Sequence, residues 1–315
     1  MNELLHRIEL TTPLFALIGL GYALMRFGKW PREISEALTR FVFSVALPCL
    51  LFRMMSDFSK LPPVDARLLI AFFGSCLIVF LIGRAVAKHL FKLDGVSGSV
   101  FALGGVFSNN AMLGIPMARE LIGPQALPSV ALVIVFNALT LWTLVTVSVE
   151  WARHGSFSVA GISKTAYSVI TNPLVAAILS GTVLGIIGIP VPPLVDAPLN
   201  MLSQAAVPLS LVALGMGLAE YGVREGWQQS VFISVLKLLV QPLVILLLAH
   251  LLGLPLIETQ VVVILGSVAV GANVYLMARQ FNAMEGPVAA SLVLSTLLSS
   301  VTTPLMLTVV SLSMR

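Results

Sequence analysis

Apolar runs of about 17 to 25 residues, the length that carries a helix across the hydrocarbon core of a bilayer, recur along the whole chain between short polar stretches. They predict ten spans, at residues 9–28, 36–55, 66–90, 97–120, 127–150, 167–188, 197–219, 229–252, 258–280 and 286–312. An even number puts both termini on one side. The first span begins near Glu9 with no cleavage-like site behind it, so it reads as a mature helix and not as a removed signal peptide.

A second pattern lies over the first. Thr11, Pro13, Leu14, Ala16, Ile18, Gly21, Leu24 and Gly28 return 160 residues later as Thr171, Pro173, Leu174, Ala176, Ile178, Gly181, Leu184 and Gly188. The same offset relates Ala46, Pro48 and Leu51 to Ala206, Pro208 and Leu211, and Met117, Ala118 and Arg119 to Met277, Ala278 and Arg279. Five spans per repeat is an odd number, so the halves are expected to lie upside down relative to each other, as in secondary transporters. The expected layout is residues 1–150 as one repeat, 151–165 as a cytoplasmic connector and 166–315 as the inverted second repeat.

Composition agrees with an all-α integral membrane protein: 58% of residues are hydrophobic, 10% are charged, and the mean hydropathy is +1.01. No segment is left over for a soluble domain. Lys and Arg add an orientation, because positive loops stay cytoplasmic. Loops 1-2, 3-4, 5-6, 7-8 and 9-10 carry eleven of them and the opposite side six, so both termini are expected to be periplasmic or extracellular and the protein to sit in the cell inner (plasma) membrane. The net charge of +4 is then mainly a topology signal, and no basic face with stacking aromatics supports nucleic-acid binding.

Two spans are poorly suited to a continuous helix. The fourth contains SNNAMLGIP, Ser108 to Pro116, where two asparagines, a glycine and a proline sit at membrane depth. An unwound stretch is predicted near Asn110 to Pro116. In the ninth, Gly266, Ser267, Gly271 and Asn273 interrupt the apolar run at a similar depth. Unwound backbone within a membrane needs protein or a watery cavity around it, and two breaks at matching repeat positions point to a substrate site. In an inverted pair the half-helices after the breaks both start near the midplane, so free N–H groups and positive dipole ends converge on an anion site. Asn109, Asn110 and Asn273 add neutral donors for a carboxylate, although intramembrane Asn also serves as interhelical glue. Gly114, Pro116, Gly271 and Ala272 shape the same candidate site, and Tyr275 either lines it or packs.

Charges within spans are few. Lys237 lies about two turns into the eighth span and is expected to snorkel to the interface. The rival role, shared with Gln241, is guiding an anion or coupling to protons. Arg119 and Arg279 end the two broken spans, where cations favour a helix C-terminus or draw anions to a mouth. Arg53 reads as interfacial. No Asp or Glu lies in mid-span, which argues against an antiporter that carries its coupling charge on a carboxylate, while a sodium site of carbonyl and Asn oxygens stays compatible. Cys49, Cys76 and four scattered histidines offer no metal-ligand spacing and no nucleophile-base pair, so no enzyme, metal or cofactor is expected, with proton or sodium coupling left open. The partners expected are a small carboxylate and the lipid bilayer, with a homodimer permitted.

NNAMLGIP, AAVPLSLVALGMGL (205–218) and GANVYLMARQFNAMEGP (271–287) resemble the auxin efflux carrier family. The last, continued by SLVLSTLLSSVTTPL (291–305), is most similar to its bacterial malonate-carrier-like branch. The resemblance covers essentially the whole chain. It implies a ten-helix fold of two inverted five-helix repeats, with helices 1, 2, 6 and 7 as a scaffold and 3 to 5 with 8 to 10 as a moving transport domain. It also implies that the crossing of helices 4 and 9 binds the substrate carboxylate, with Asn109 in the place of the family's contacting asparagine and Gly114, Ile115 and Pro116 in the motif after it. Two departures are visible: Val274 stands where the plant carriers have a second crossover proline, and the connector between the halves is short. The expected function is a secondary transporter of a small organic anion, malonate or a similar dicarboxylate, working by an elevator mechanism. The alternatives are a carrier of another monocarboxylate or auxin-like acid and a non-transporting sensor of such anions.

Overall fold

Backbone groups have no water to bond inside a bilayer, so a chain this apolar folds as helices that satisfy their own N–H and C=O groups. The computed structural model describes residues 2–56, 64–154, 172–220 and 226–314, and among them helices account for all regular structure apart from one isolated bridge between Ser108 and Val270. The helices are α1 (Asn2–Arg26), α2 (Arg32–Ser56), α3 (Arg67–His89), α4a (Gly95–Gly104), α4b (Ile115–Leu121), α5 (Leu127–His154), α6 (Pro173–Ile187), α7 (Pro193–Leu218), α8 (Trp227–Leu251), α9a (Leu256–Ser267), α9b (Ala272–Phe281) and α10 (Glu285–Ser313). Among the described residues, six helices, α1, α2, α3, α7, α8 and α10, are long and apolar enough to cross a membrane. Most of the connector expected at 151–165 lies outside the described residues, and α5 continues to His154.

Three prolines leave the same mark on the backbone. Pro48, Pro116 and Pro242 are each preceded, two residues back, by the end of a π turn: Val42–Ala46, Asn110–Gly114 and Leu236–Val240. A proline ring crowds the carbonyl four residues before it, and the wider turn makes room. At Pro116 the displaced carbonyl is that of Met112, which accepts from the Ser210 hydroxyl of α7 at 3.3 Å.

The halves keep step. A shift of 160 residues carries the starts of α2, α3 and α5 onto positions 192, 227 and 287, beside the starts of α7, α8 and α10 at Pro193, Trp227 and Glu285. Helix α1 packs along α7 and α6 along α2, with α2 and α7 in contact between them. Glycines set these approaches: a Cβ on Gly21 would strike the Val212 carbonyl, and one on Gly181 would come within 2.5 Å of the Phe52 carbonyl. Gly181 and Val212 are Gly21 and Phe52 displaced by 160, so one contact is made twice with the halves exchanged. The remaining helices pack mainly with each other, α3 against α4a and α8, α4a against α5, and α9a against α8 and α10. Large apolar side chains such as Leu81, Ile186 and Leu194 face outward, as a lipid-facing surface requires.

Candidate functional site

The interruption between α4a and α4b begins earlier than expected. Backbone at 105–109 is unwound, whereas Asn110–Gly114 forms the π turn demanded by Pro116. In the ninth segment the unwound residues are 268–271, and Ala272 already opens α9b. The two stretches cross antiparallel and bond to each other: Asn109 N donates to Ala269 O at 2.9 Å and Gly271 N to Phe107 O at 2.8 Å. Asn109 and Ala269 lie 160 residues apart, the offset of the sequence repeat.

Neighbouring helices take up further free backbone groups, as burial demands. The Ser295 hydroxyl accepts from Val270 N at 3.0 Å, and Thr303 Oγ1 donates to Ser267 O at 2.9 Å, both from α10. At the C-terminal ends of the half-helices, Gln241 Nε2 donates to Val106 O at 3.1 Å and the Lys237 ammonium to Gly266 O. Lys237 also donates to Gln241 Oε1 at 2.8 Å and is fully buried. The expectation that it snorkels to the interface is therefore corrected: carbonyls left open by the break in the ninth segment hold the ammonium inside.

The N-terminal ends face the other way, onto a cavity of about 650 Å³. Asn109, Asn110 and Ala111 line it from one break, and Gly271, Ala272 and Asn273 from the other. First-turn N–H groups have no carbonyl one turn behind them, so both helix starts present donors and positive dipole ends there. The buried side-chain atoms left without a partner gather at the same place. Among the described residues they include Ser108 Oγ, Asn109 Nδ2, both amide atoms of Asn110 and Asn137 Oδ1; Ser108 and all three asparagines line the cavity. Asn109 has a defined polarity. Its Oδ1 caps the following turn by accepting from Met112 N at 3.4 Å, which leaves the amide N–H₂ as the free end.

Opposite the crossing stands a wall that sequence reasoning missed. Arg32, Ser35, Glu36, Thr39, Arg40 and Phe43 recur at three- and four-residue intervals, so one face of α2 lies along the cavity. Asn172, Leu174 and Glu220 extend this wall from the start of α6 and the end of α7. Arg32 pairs with Glu36 at 2.9 Å and with Glu220 at 3.0 Å. The spacing of these polar residues was a signal, but it lay where a span begins and reads there as interface.

A match over residues 6–307 to the family described as membrane transport protein decides what this architecture is. The chain belongs to that family, the auxin efflux carriers and their relatives. Among similar proteins is one from Rhizobium meliloti (strain 1021) named "Putative malonate transporter", 25% identical over 296 residues that cover 93% of this chain and 92% of the relative. Two uncharacterized transporters are also similar. The one from Methanocaldococcus jannaschii is 27% identical over 79% of this chain and 80% of its own, and that from Escherichia coli (strain K12) is 24% identical over 93% and 94%. Membership makes the chain a membrane transporter and not an enzyme.

In this transporter the cavity gathers six of the residues singled out from sequence: Asn109, Asn110, Gly271, Ala272, Asn273 and Tyr275. Gly114 and Pro116 lie outside its wall, buried behind the π turn, where a Cβ on Gly114 would meet the Leu265 side chain at 2.8 Å. Lys237 and Gln241 also stand apart from it, at the opposite ends of the half-helices. Arg119 and Arg279 occupy the last turns of α4b and α9b, and Arg279 alone of the two reaches the cavity. Arg53 is half-buried and holds Asp196 at 2.6 and 3.1 Å and Asn200 at 2.9 Å, tying α2 to α7.

Proposed function

We propose that the protein is a secondary transporter that moves a small organic anion, malonate or a similar dicarboxylate, across the inner membrane by an elevator-type stroke. The observation that carries this reading is the polarity of the crossing. Two helix N-termini and the free amide of Asn109 offer donors to one cavity, while the carbonyl ends are occupied by Lys237 and Gln241 on the other side. These donors suit an anion, the carboxylates of the opposite wall, Glu36 and Glu220, being held by Arg32, and helix starts bind anions without a permanent charge in the bilayer. The name of the Rhizobium relative supports the choice of malonate.

Ten crossings in two inverted repeats fit the same reading. The stretches at the crossing run antiparallel and are centred on the equivalent residues Asn109 and Ala269, as expected when one half is turned over relative to the other. The exchange of the Gly21 and Gly181 contacts between halves supports the same axis. Helices α1, α2, α6 and α7 would form the scaffold and the others the moving part, with the cavity between α2, α6 and α7 on one side and the crossing on the other. Its rim carries Arg32, Arg40 and Arg279, from the loop side that the distribution of basic residues assigns to the cytoplasm, so this is an inward-facing state with both termini outside.

Uptake of labelled malonate into vesicles reconstituted with the purified protein tests the reading. N109D keeps the cap but replaces the donor with a negative charge, and N109S keeps a capping oxygen without the amide donor. Both should lower anion affinity by about 10- to 100-fold, the worth of a hydrogen bond to a charged group, at little cost to melting temperature. Saturable binding without uptake would make the protein a sensor, and wild-type affinity in both variants would remove Asn109 from the site.

A further inference from the structure

Two cations in the cavity have no partner among the described residues. Of its five charged residues, Arg32 is shared by two carboxylates, Glu36 and Glu220. Arg40 and Arg279 make no hydrogen bond or ion pair among the described residues. They come from different walls, Arg40 from α2 and Arg279 from α9b. Arg279 shares a face with Ala272, Tyr275 and Leu276, all lining residues at helical spacing, so the face that starts at the crossing ends at this guanidinium.

We propose that Arg40 and Arg279 form a second anion subsite, which takes the distal carboxylate of a substrate whose first carboxylate lies at the crossing. The inference rests on the anion-carrier reading and extends it to substrate class. Seven residues of helix separate Ala272 from Arg279, a rise of about 10 Å, and the Cα–Cβ bonds of a helix tilt toward its N-terminus, so the Arg279 side chain sets out along this face on the side of the crossing. Guanidinium matches a carboxylate with paired donors, and its charge does not titrate in the physiological range. A purely structural role at the helix end predicts a bond from Arg279 to one of the last carbonyls of α9b, and none is made. Arg40 ends the α-helical part of α2 in the same unbonded state. With Arg32 shared between Glu36 and Glu220, the positive charge of the cavity that no carboxylate among the described residues holds sits on Arg40 and Arg279.

The test compares matched acids on the purified full-length transporter: malonate, succinate and glutarate against acetate, propionate and butyrate, by calorimetry and by competition in vesicle uptake. Wild type should favour at least one dicarboxylate tenfold or more over its monocarboxylate counterpart. R40Q and R279Q should each cut that preference at least fivefold, with R279K recovering part of it, while N109D weakens both classes together. An unchanged preference in both Gln variants, or equal losses on the two classes, overturns the subsite. A wild type that binds monocarboxylates equally well overturns the subsite alone, whereas one that binds neither class overturns the anion-carrier reading and the subsite with it.

Discussion

Lys237 donates to the amide oxygen of Gln241 at 2.8 Å, one turn further along α8, and that bond orients the amide nitrogen toward the carbonyl of Val106. With the ammonium on Gly266 O, the pair joins the C-terminal ends of both interrupted segments. A cation is favourable at a helix C-terminus, and a carbonyl released by an interrupted helix is costly to bury unpaired. We expect K237M and Q241L each to destabilise the protein by about 1–3 kcal/mol per orphaned carbonyl, read as a lowered melting temperature in detergent. The affinity of folded protein for its anion should stay within about threefold, because neither residue lines the cavity. A large fall in affinity at unchanged melting temperature would return Lys237 to the role of anion guide.

Gly271 is required by proximity and not by its own backbone angles, which are extended (φ −77°, ψ 141°). A Cβ there would lie 2.9 Å from the Ser108 carbonyl and 3.1 Å from the Phe107 ring. G271A should push the two stretches apart, weaken the bond from Gly271 N to Phe107 O and abolish uptake. Gly19 in α1 supplies the contrast: nothing stands within 4 Å of its Cβ direction, so G19A should be neutral or stabilising by up to about 1 kcal/mol. Equal uptake by the two variants would refute the close approach.

How much of this was legible in the chain depends on whether the cause was local. Helix α3, at Arg67–His89 against an expected span of 66–90, follows from apolar length alone. The existence of both breaks followed from Asn, Gly and Pro at membrane depth. Their limits did not, because the strain of Pro116 is absorbed by a π turn and the unwound residues fall before Asn110. The antiparallel pairing of 107–109 with 269–271 was hidden, since each stretch meets its partner from the far half of the chain. Lys237 was misjudged for the same reason: the carbonyl that keeps it buried belongs to α9a, and no window around residue 237 contains it.

The exchanged glycine contacts give the repeat a mechanical test. G21L wedges α1 from α7 and G181L wedges α6 from α2, each against backbone. Backbone has no rotamer to yield, so both variants should lower the melting temperature by similar amounts, corresponding to overpacking of about 1–3 kcal/mol or more. Circular dichroism melts of the two variants check this. A large loss in one and none in the other would show that only one of the paired interfaces contributes to stability.

Asp94 links stability to acid outside the membrane-spanning segments. It caps α4a: Oδ1 accepts from Val96 N at 2.8 Å and Ser97 N at 3.0 Å, and Oδ2 accepts from the Ser97 hydroxyl at 2.6 Å. The hydrogen bond from the Ser97 side chain, then those from the backbone, hold the carboxyl below its usual value of 3.8. A carboxyl depressed on folding contributes fully above its unfolded pKa and loses that contribution as pH falls through the folded one. Stability from this cap should therefore be flat near neutrality and decline only below about pH 4. D94A should cost about 1 kcal/mol at pH 7, the typical worth of an N-cap, whereas D94N keeps an acceptor and loses less. Melts of wild type and D94N between pH 7 and 3 should converge toward the acid end, because protonation removes the charge that distinguishes them. A constant gap across that range would mean that the Asp94 charge takes no part in holding the start of α4a.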